Sequence, residues 1–127
     1  MATVLVIDDE KDIRQCFEDL LTAEEPSFRV LKADNGPDGL DLLKKHKPDI
    51  VFVDLQLQAA MDGIEVVKRI KQIEPTVKVV VVSGFMDKND EEGIKRIGAD
   101  SCLEKPWAPD EVMQLIKKLL RQKETER

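Results

Sequence analysis

The feature that most constrains the fold is a short apolar run, residues 50–53, that ends at an acid, Asp54. Four consecutive apolar residues, three of them β-branched, are typical of a strand that is buried on both faces. Such strands are usually central members of parallel sheets, and open α/β sheets bind ligands beyond the carboxyl ends of their strands. Asp54 taken alone indicates only the end of a strand. It becomes a candidate site residue because other strands deliver chemical groups to the same edge.

Four further segments have strand character and alternate with helical patterns. Residues 4–7 and 77–82 are almost wholly apolar, residues 28–33 alternate like an edge strand, and residues 101–103 form a brief run. Strands that alternate with helices five times predict an α/β domain with a parallel sheet, helices on both faces and right-handed crossovers. A chain of 127 residues suits one such domain.

Apolar residues at helical spacing predict the buried faces of the helices. Asn35 and Pro37 are typical of a helix start, so the second helix should begin there. The residues from Arg121 onward are charged, and we expect them to fray. In the third helix the predicted buried face consists of Ile64, Val67, Ile70 and Ile73.

Composition and charge exclude several classes of function. The net charge of −6 argues against direct binding to nucleic acids or anionic membranes. No apolar run approaches the roughly 20 residues that a membrane helix needs, and the chain enters its first strand without a signal peptide. Cys16 and Cys102 have no metal-binding spacing and indicate reduced thiols. We therefore expect a cytoplasmic protein.

The predicted strands bring five polar side chains to one edge of the sheet. Asp8 and Asp9 follow the first strand, Asp54 ends the third, Ser83 ends the fourth, and Lys105 follows the fifth. Carboxylates about 4 Å apart repel by roughly 4 kcal/mol at an effective dielectric of 20, so they share a proton or hold a cation. Mg²⁺ prefers such hard oxygen ligands. A cation and an ammonium would together neutralise a phosphoryl group arriving on Asp54, since carboxylates are known nucleophiles in phosphoryl transfer.

The chain resembles the receiver domains of two-component response regulators, and within them the stand-alone chemotaxis type. The resemblance covers about residues 2–121 and implies a flavodoxin-like sheet of order 2-1-3-4-5. The matching motifs, all in order along the chain, are residues 6–10, 54–55, 62–63, 82–84 and the pair of segments 98–100 and 105–106.

The resemblance also implies a role for each site residue. Asp54 is the phosphoacceptor; Asp9, Asp54 and the backbone carbonyl of Gln56 bind Mg²⁺ directly, and Asp8 acts mainly through water. Ser83 moves to bind the phosphoryl oxygens. Lys105 pairs with the phosphoryl group and is held by a cis peptide bond to the following proline.

Three departures from the family pattern stand out. The aromatic residue usually found three positions before the lysine is replaced by Cys102, which has no ring to rotate. The loop from Leu55 to Met61 has no proline and one extra residue. Phe85, two positions after Ser83, is bulky for a position beside the site.

Rival functions fit less well. A flavin domain needs a phosphate loop where residues 8–10 are acidic, and a nucleotide switch needs a glycine-rich loop that is absent from the sequence. An aspartyl-phosphate phosphatase needs a second acid where Gln56 stands. A phosphorylation-independent interaction module stays open as an alternative.

The expected function is a phosphoacceptor domain of a two-component phosphorelay, not a separate metabolic enzyme. A sensor histidine kinase or histidine phosphotransfer protein would donate the phosphoryl group to Asp54. A downstream effector would read the switch on the face formed by the fourth helix, fifth strand and fifth helix. We expect the receiver domain over residues 1–121 and a charged tail or linker start over residues 122–127.

Overall fold

The computed structural model describes residues 2–57, 61–84 and 87–125. Within these ranges the chain alternates five strands with five helices. The elements are β1 (Thr3–Ile7), α1 (Lys11–Glu24), β2 (Arg29–Ala33), α2 (Gly36–His46), β3 (Ile50–Asp54), α3 (Gly63–Ile73), β4 (Lys78–Ser83), α4 (Lys88–Arg96), β5 (Ser101–Glu104) and α5 (Pro109–Thr125).

The five strands of the described ranges form one parallel sheet in the order β2-β1-β3-β4-β5, so both the predicted fold class and the strand order are confirmed. β3 lies at the centre, and every one of its residues is buried. This is the burial that its uninterrupted apolar run predicts.

Successive strand residues point to opposite faces, and each face has its own core. On one face α2, α3 and α4 cover alternate residues of the central strands, including Leu5, Val51 and Val53. On the other face α1 and α5 cover the residues between them, including Val6 and Phe52. The predicted two-sided arrangement of helices is therefore confirmed.

Helix starts follow local chemistry. The Asn35 side chain accepts a hydrogen bond from the Asp38 N–H at 2.8 Å and caps α2, with proline in its first turn, as predicted. The Asp62 side chain caps α3 in the same way through the Glu65 N–H at 2.9 Å. None of the helices in the described ranges is long and apolar enough to cross a membrane.

The predicted buried face of α3 is partly wrong. Ile64 is 44% exposed, whereas Val66 is fully buried. Gly63 is buried against the end of β3. Successive helical residues are rotated by about 100° around the helix axis, so Ile64, which directly follows the buried Gly63, is turned away from the sheet.

The predicted fraying after Arg121 is also wrong, since α5 continues to Thr125. Lys123 Nζ lies 3.0 Å from Asp49 Oδ1, and the other Asp49 oxygen accepts a hydrogen bond from the Thr3 N–H at 2.9 Å. The last turns of α5 are therefore attached to the amino-terminal edge of the sheet.

A second charged cluster lies at this amino-terminal edge. Asp100, just before β5, has one oxygen 2.8 Å from Lys71 Nζ and the other 3.9 Å from Lys78 Nζ. Lys78 is buried, and Asp100 also accepts a hydrogen bond from the Val79 N–H at 2.8 Å. One carboxylate is thus shared between two ammonium groups.

Candidate functional site

Three carboxylates meet at the carboxyl edge of the sheet. Asp8 follows β1 directly and Asp54 is the last residue of β3, so parallel pairing of β1 with β3 brings them together. One oxygen each of Asp8, Asp9 and Asp54 lie within 4.8 Å of one another. Asp8 and Asp54 are buried and Asp9 is partly exposed, which leaves the cluster open to solvent on the Asp9 side.

Lys105 supplies the positive charge of this cluster. Its Nζ lies 3.5 Å from Asp8 Oδ2 and 3.8 Å from Asp54 Oδ2. Its backbone N–H donates to the Ser83 carbonyl at 2.7 Å, which ties the ends of β4 and β5 together. The Lys105–Pro106 peptide bond is cis, as the resemblance implies. Ser83 is buried at the same edge, so all five predicted polar residues lie at one end of the sheet.

The environment of Asp8 disfavours its charged form. Burial raises the pKa of Asp8, and the neighbouring Asp54 carboxylate raises it further. The Glu10 N–H, which donates to Asp8 Oδ1 at 2.9 Å, and the Lys105 ammonium lower the pKa but do not cancel the rise. A buried acid with this imbalance is a group whose charge a bound cation would stabilise.

Backbone N–H groups of the two residues after Asp54 fix its side chain and the end of β3. The Gln56 N–H donates to Asp54 Oδ1 at 3.0 Å, and the Leu55 N–H donates to the Val82 carbonyl at 2.9 Å. The contact that the structure describes for Gln56 is thus made by its N–H, and metal binding by its carbonyl stays a prediction. Within the loop from Leu55 to Met61, residues 58–60 lie outside the described residues.

The donor set fits Mg²⁺. In the described ranges this is the only group of three acidic, histidine or cysteine side chains close enough to share an ion. All three donors are carboxylate oxygens, which suit a hard cation that keeps several waters. The single ammonium at 3.5–3.8 Å leaves an excess of negative charge on the cluster.

Two residues that sequence reasoning missed contact the backbone of the site. Arg14 Nη1 donates to the Asp8 carbonyl at 2.9 Å. A Cβ atom on Gly63 would overlap the Asp54 carbonyl oxygen and come within 2.6 Å of Leu55 Cα. Both contacts are made to main-chain atoms, for which the residue types carry no pattern. The sequence signal for Gly63 is its place in the matching motif of residues 62–63, which by itself does not indicate contact with the acceptor strand.

Of the three departures from the family pattern, Cys102 is the one that falls wholly within the described residues. Cys102 is partly exposed, and burial raises the pKa of its thiol. The raised pKa favours the thiol over the reactive thiolate. Phe85 lies outside the described residues.

The fold and the carboxyl edge together define a doubly wound α/β domain with an acidic cluster, at the carboxyl ends of its strands, that could hold a metal ion. The chain belongs to the response regulator receiver domain family of two-component signalling, whose family model matches residues 4–117. The match includes every residue of the acidic cluster and Lys105.

Individual relatives cover almost the whole chain. The sporulation initiation phosphotransferase F of Bacillus subtilis is 31% identical over 117 residues, which is 92% of each chain. The polar-differentiation response regulator DivK of Brucella anthropi is 30% identical over 120 residues, 93% of this chain and 95% of DivK.

Solved structures agree with the fold. The receiver domain protein from Clostridium thermocellum superposes with a TM-score of 0.91 at 26% identity over 100% of both chains. NtrX from Brucella abortus superposes with a TM-score of 0.92 at 29% identity over 99% of this chain. The chain spans only 28% of NtrX, so NtrX is a larger protein that contains a domain of this shape.

Proposed function

We propose that the domain accepts a phosphoryl group on Asp54 from a phosphohistidine of a sensor kinase or a histidine phosphotransfer protein. The observation that carries the proposal is the convergence of Asp8, Asp9 and Asp54 within 4.8 Å, with Lys105 Nζ 3.8 Å from Asp54. A receiver domain with this group at the carboxyl edge has a nucleophile and compensating charge in one place.

Mg²⁺ is the cofactor that this cluster suits. Asp9, Asp54 and the Gln56 backbone carbonyl would hold it directly, and Asp8 mainly through water. Bound there, the cation would neutralise negative charge on the incoming phosphoryl oxygens. The proximity of three carboxylates supports this assignment, because their mutual repulsion makes a cation the favourable occupant.

The protein's own groups perform the transfer. An Asp54 oxygen attacks phosphorus, and an acyl phosphate bond forms as the P–N bond breaks. The electron pair of that bond stays on the imidazole, which is protonated on its other nitrogen and leaves as a neutral ring. Lys105 follows the added charge from the carboxylate to the phosphoryl oxygens, and the Ser83 hydroxyl donates a hydrogen bond to them.

The domain acts as a switch and not as a separate metabolic enzyme. The reactions that it catalyses, this transfer and the later hydrolysis of the acyl phosphate, both take place on its own Asp54. Phosphorylation shifts a two-state equilibrium that a downstream effector reads on the face of α4, β5 and α5. We assign the receiver to residues 1–121 and a charged tail or linker start to residues 122–127, the first part of which continues α5 as far as Thr125. We place the protein in the cytoplasm, without direct binding to nucleic acid or membrane.

The test uses acetyl phosphate as a small phosphodonor, with Mg²⁺, and measures the intact mass. The wild type is expected to gain one phosphoryl group, Asp54→Asn none, and the control Asp41→Asn, an exposed acid on α2, as much as the wild type. Equal gain by Asp54→Asn would refute the acceptor assignment. No gain by the wild type, under conditions where it binds Mg²⁺, would favour a phosphorylation-independent interaction module.

A further inference from the structure

Arg14 is a cation whose only described side-chain partner is a main-chain oxygen. It lies in the second turn of α1 and reaches back past the helix start, where Nη1 donates to the Asp8 carbonyl at 2.9 Å. In the described parts of the chain no carboxylate oxygen comes within the 4.0 Å of an ion pair with its guanidinium. The guanidinium of arginine carries five N–H donors and no acceptor, and the described one is directed at the Asp8 carbonyl.

The Asp8 carbonyl belongs to the peptide plane that joins the two acids. Because that plane is rigid, fixing its oxygen also fixes the N and Cα atoms of Asp9. The Asp8 N–H is held by the Ala33 carbonyl at 3.1 Å, and its side chain by the Glu10 N–H at 2.9 Å. Lys105 also pairs with the Asp8 side chain at 3.5 Å. Among these described contacts, the Arg14 bond is the one made to the Asp8–Asp9 peptide itself.

The described contact of Arg14 is made to the main chain of the site and to none of its carboxylates. Its side chain is half-exposed on the wall of a groove of about 600 Å³ between α1, β2 and α2. Replacing it therefore leaves no cavity in either core.

We propose that Arg14 is a positioning residue that holds the Asp8–Asp9 peptide, and thereby aims the Asp9 carboxylate at the cation shared with Asp54. The inference rests on the proposed function for its metal site. It adds a residue from α1 to a site otherwise built from strand ends, and it predicts that cation affinity depends on a side chain that does not touch the cation.

The experiment is a calorimetric Mg²⁺ titration of Arg14→Gln and Arg14→Lys, with urea unfolding of each variant in the absence of Mg²⁺. Arg14→Gln is expected to bind Mg²⁺ roughly tenfold more weakly, the lower end of the effect of removing a partner of a metal ligand. Arg14→Lys is expected to recover part of that loss, because its ammonium can still donate to the carbonyl. Arg69→Gln is the matched control, since its pair with Glu65 is exposed and belongs to α3.

The outcomes separate this inference from the proposed function. If the wild type binds Mg²⁺, Asp9→Asn does not, and Arg14→Gln binds as the wild type does, the positioning role is overturned and the metal site stands. A loss of unfolding free energy in Arg14→Gln without a change in Mg²⁺ affinity would also overturn it, because that is the effect of a purely structural bond. If the wild type does not bind Mg²⁺, the metal site fails and the positioning role fails with it.

Discussion

Gly63 lies so close to Asp54 that a Cβ atom on it would overlap the Asp54 carbonyl oxygen. The first residue of α3 therefore rests directly on the backbone of the proposed phosphoacceptor. The Asp62 cap fixes the start of α3 at this point through the Glu65 N–H. Any side chain at position 63 must move either the helix or the end of β3.

Gly63→Ala should lower both stability and the rate of phosphorylation. Overpacking of this kind costs about 1–3 kcal/mol, and the displaced atoms include the backbone of the acceptor. Gly93→Ala is the control, because a Cβ there would meet no described atom within 4 Å and alanine favours a helix by up to about 1 kcal/mol. Urea unfolding and acetyl phosphate labelling measure the two effects. An unaltered Gly63→Ala protein would contradict the close approach.

The raised pKa of Asp8 predicts how the stability of the metal-free protein depends on pH. The folded state holds the Asp8 proton more tightly than the unfolded chain, whose ordinary value is 3.8. The protonated Asp8 carboxyl therefore stabilises the folded state fully below pH 3.8, and this stabilisation is lost as pH rises through the folded-state pKa of Asp8. Asn at this position stays neutral, so the stability of Asp8→Asn relative to the wild type should increase with pH.

Urea unfolding without Mg²⁺, from pH 3.5 to pH 8, measures that difference. Saturating Mg²⁺ should shrink it, since the cation stabilises the ionised wild-type cluster and is bound less well by the variant. A difference that stays constant with pH, or falls as pH rises, would contradict the assignment.

Lys123 should contribute to stability although it lies in the expected tail. Its ion pair with Asp49 is largely shielded from solvent, with 17% and 24% of the two side chains exposed. Lys123→Met should therefore cost up to about 1 kcal/mol. Arg96→Met removes a pair whose side chains are 80% and 66% exposed and should have no measurable effect. Equal unfolding midpoints for the two variants would show that the end of α5 is not attached.

Activation should not require a rotation at position 102. If Ser83 moves to the phosphoryl group as proposed, Cys102 is too small to fill the space that it would leave, so we expect the coupling to run through residues 84–87. Phe85 and Met86 of this segment lie outside the described residues, but Asp87 and Asp90 cap the start of α4 reciprocally. A shift of the segment would therefore reach α4, and a bias of a few kcal/mol is enough to be read.

Amide NMR spectra with Mg²⁺ and beryllofluoride, a phosphoryl mimic, test this coupling. Gly84 and Asp87 should shift equally in the wild type and in Cys102→Ala. Loss of those shifts in the variant would restore a role for the residue-102 side chain, and unchanged spectra in both proteins would refute the loop mechanism.

The parts of the site that could be predicted are those set by sheet topology. Asp8, Asp54 and Ser83 each end or follow an apolar run, and parallel strands must bring such ends to one edge. Helix faces were predicted less well where packing at a helix end decides the rotation, as Gly63 does for Ile64.

The missed contacts join residues that are distant in sequence or act on the main chain. Lys123 and Asp49 are 74 positions apart, so the charged end of α5 gave no sign of its partner. Arg14 lies only 6 positions from Asp8, but it contacts a carbonyl that every residue type possesses. Tertiary structure is needed to reveal either contact.

The two ends of the sheet differ in the balance of charge that surrounds their ion pairs, and the shared carboxylate of Asp100 lies at one of these ends. At the amino-terminal edge two ammonium groups flank one carboxylate, whereas at the carboxyl edge three carboxylates surround the ammonium of Lys105. The excess of negative charge at the carboxyl edge would attract a cation to the proposed metal site, and a bound cation would reduce the repulsion of an anionic phosphoryl donor there. Salt would screen both effects over a length of about 10 Å at 0.1 M ionic strength.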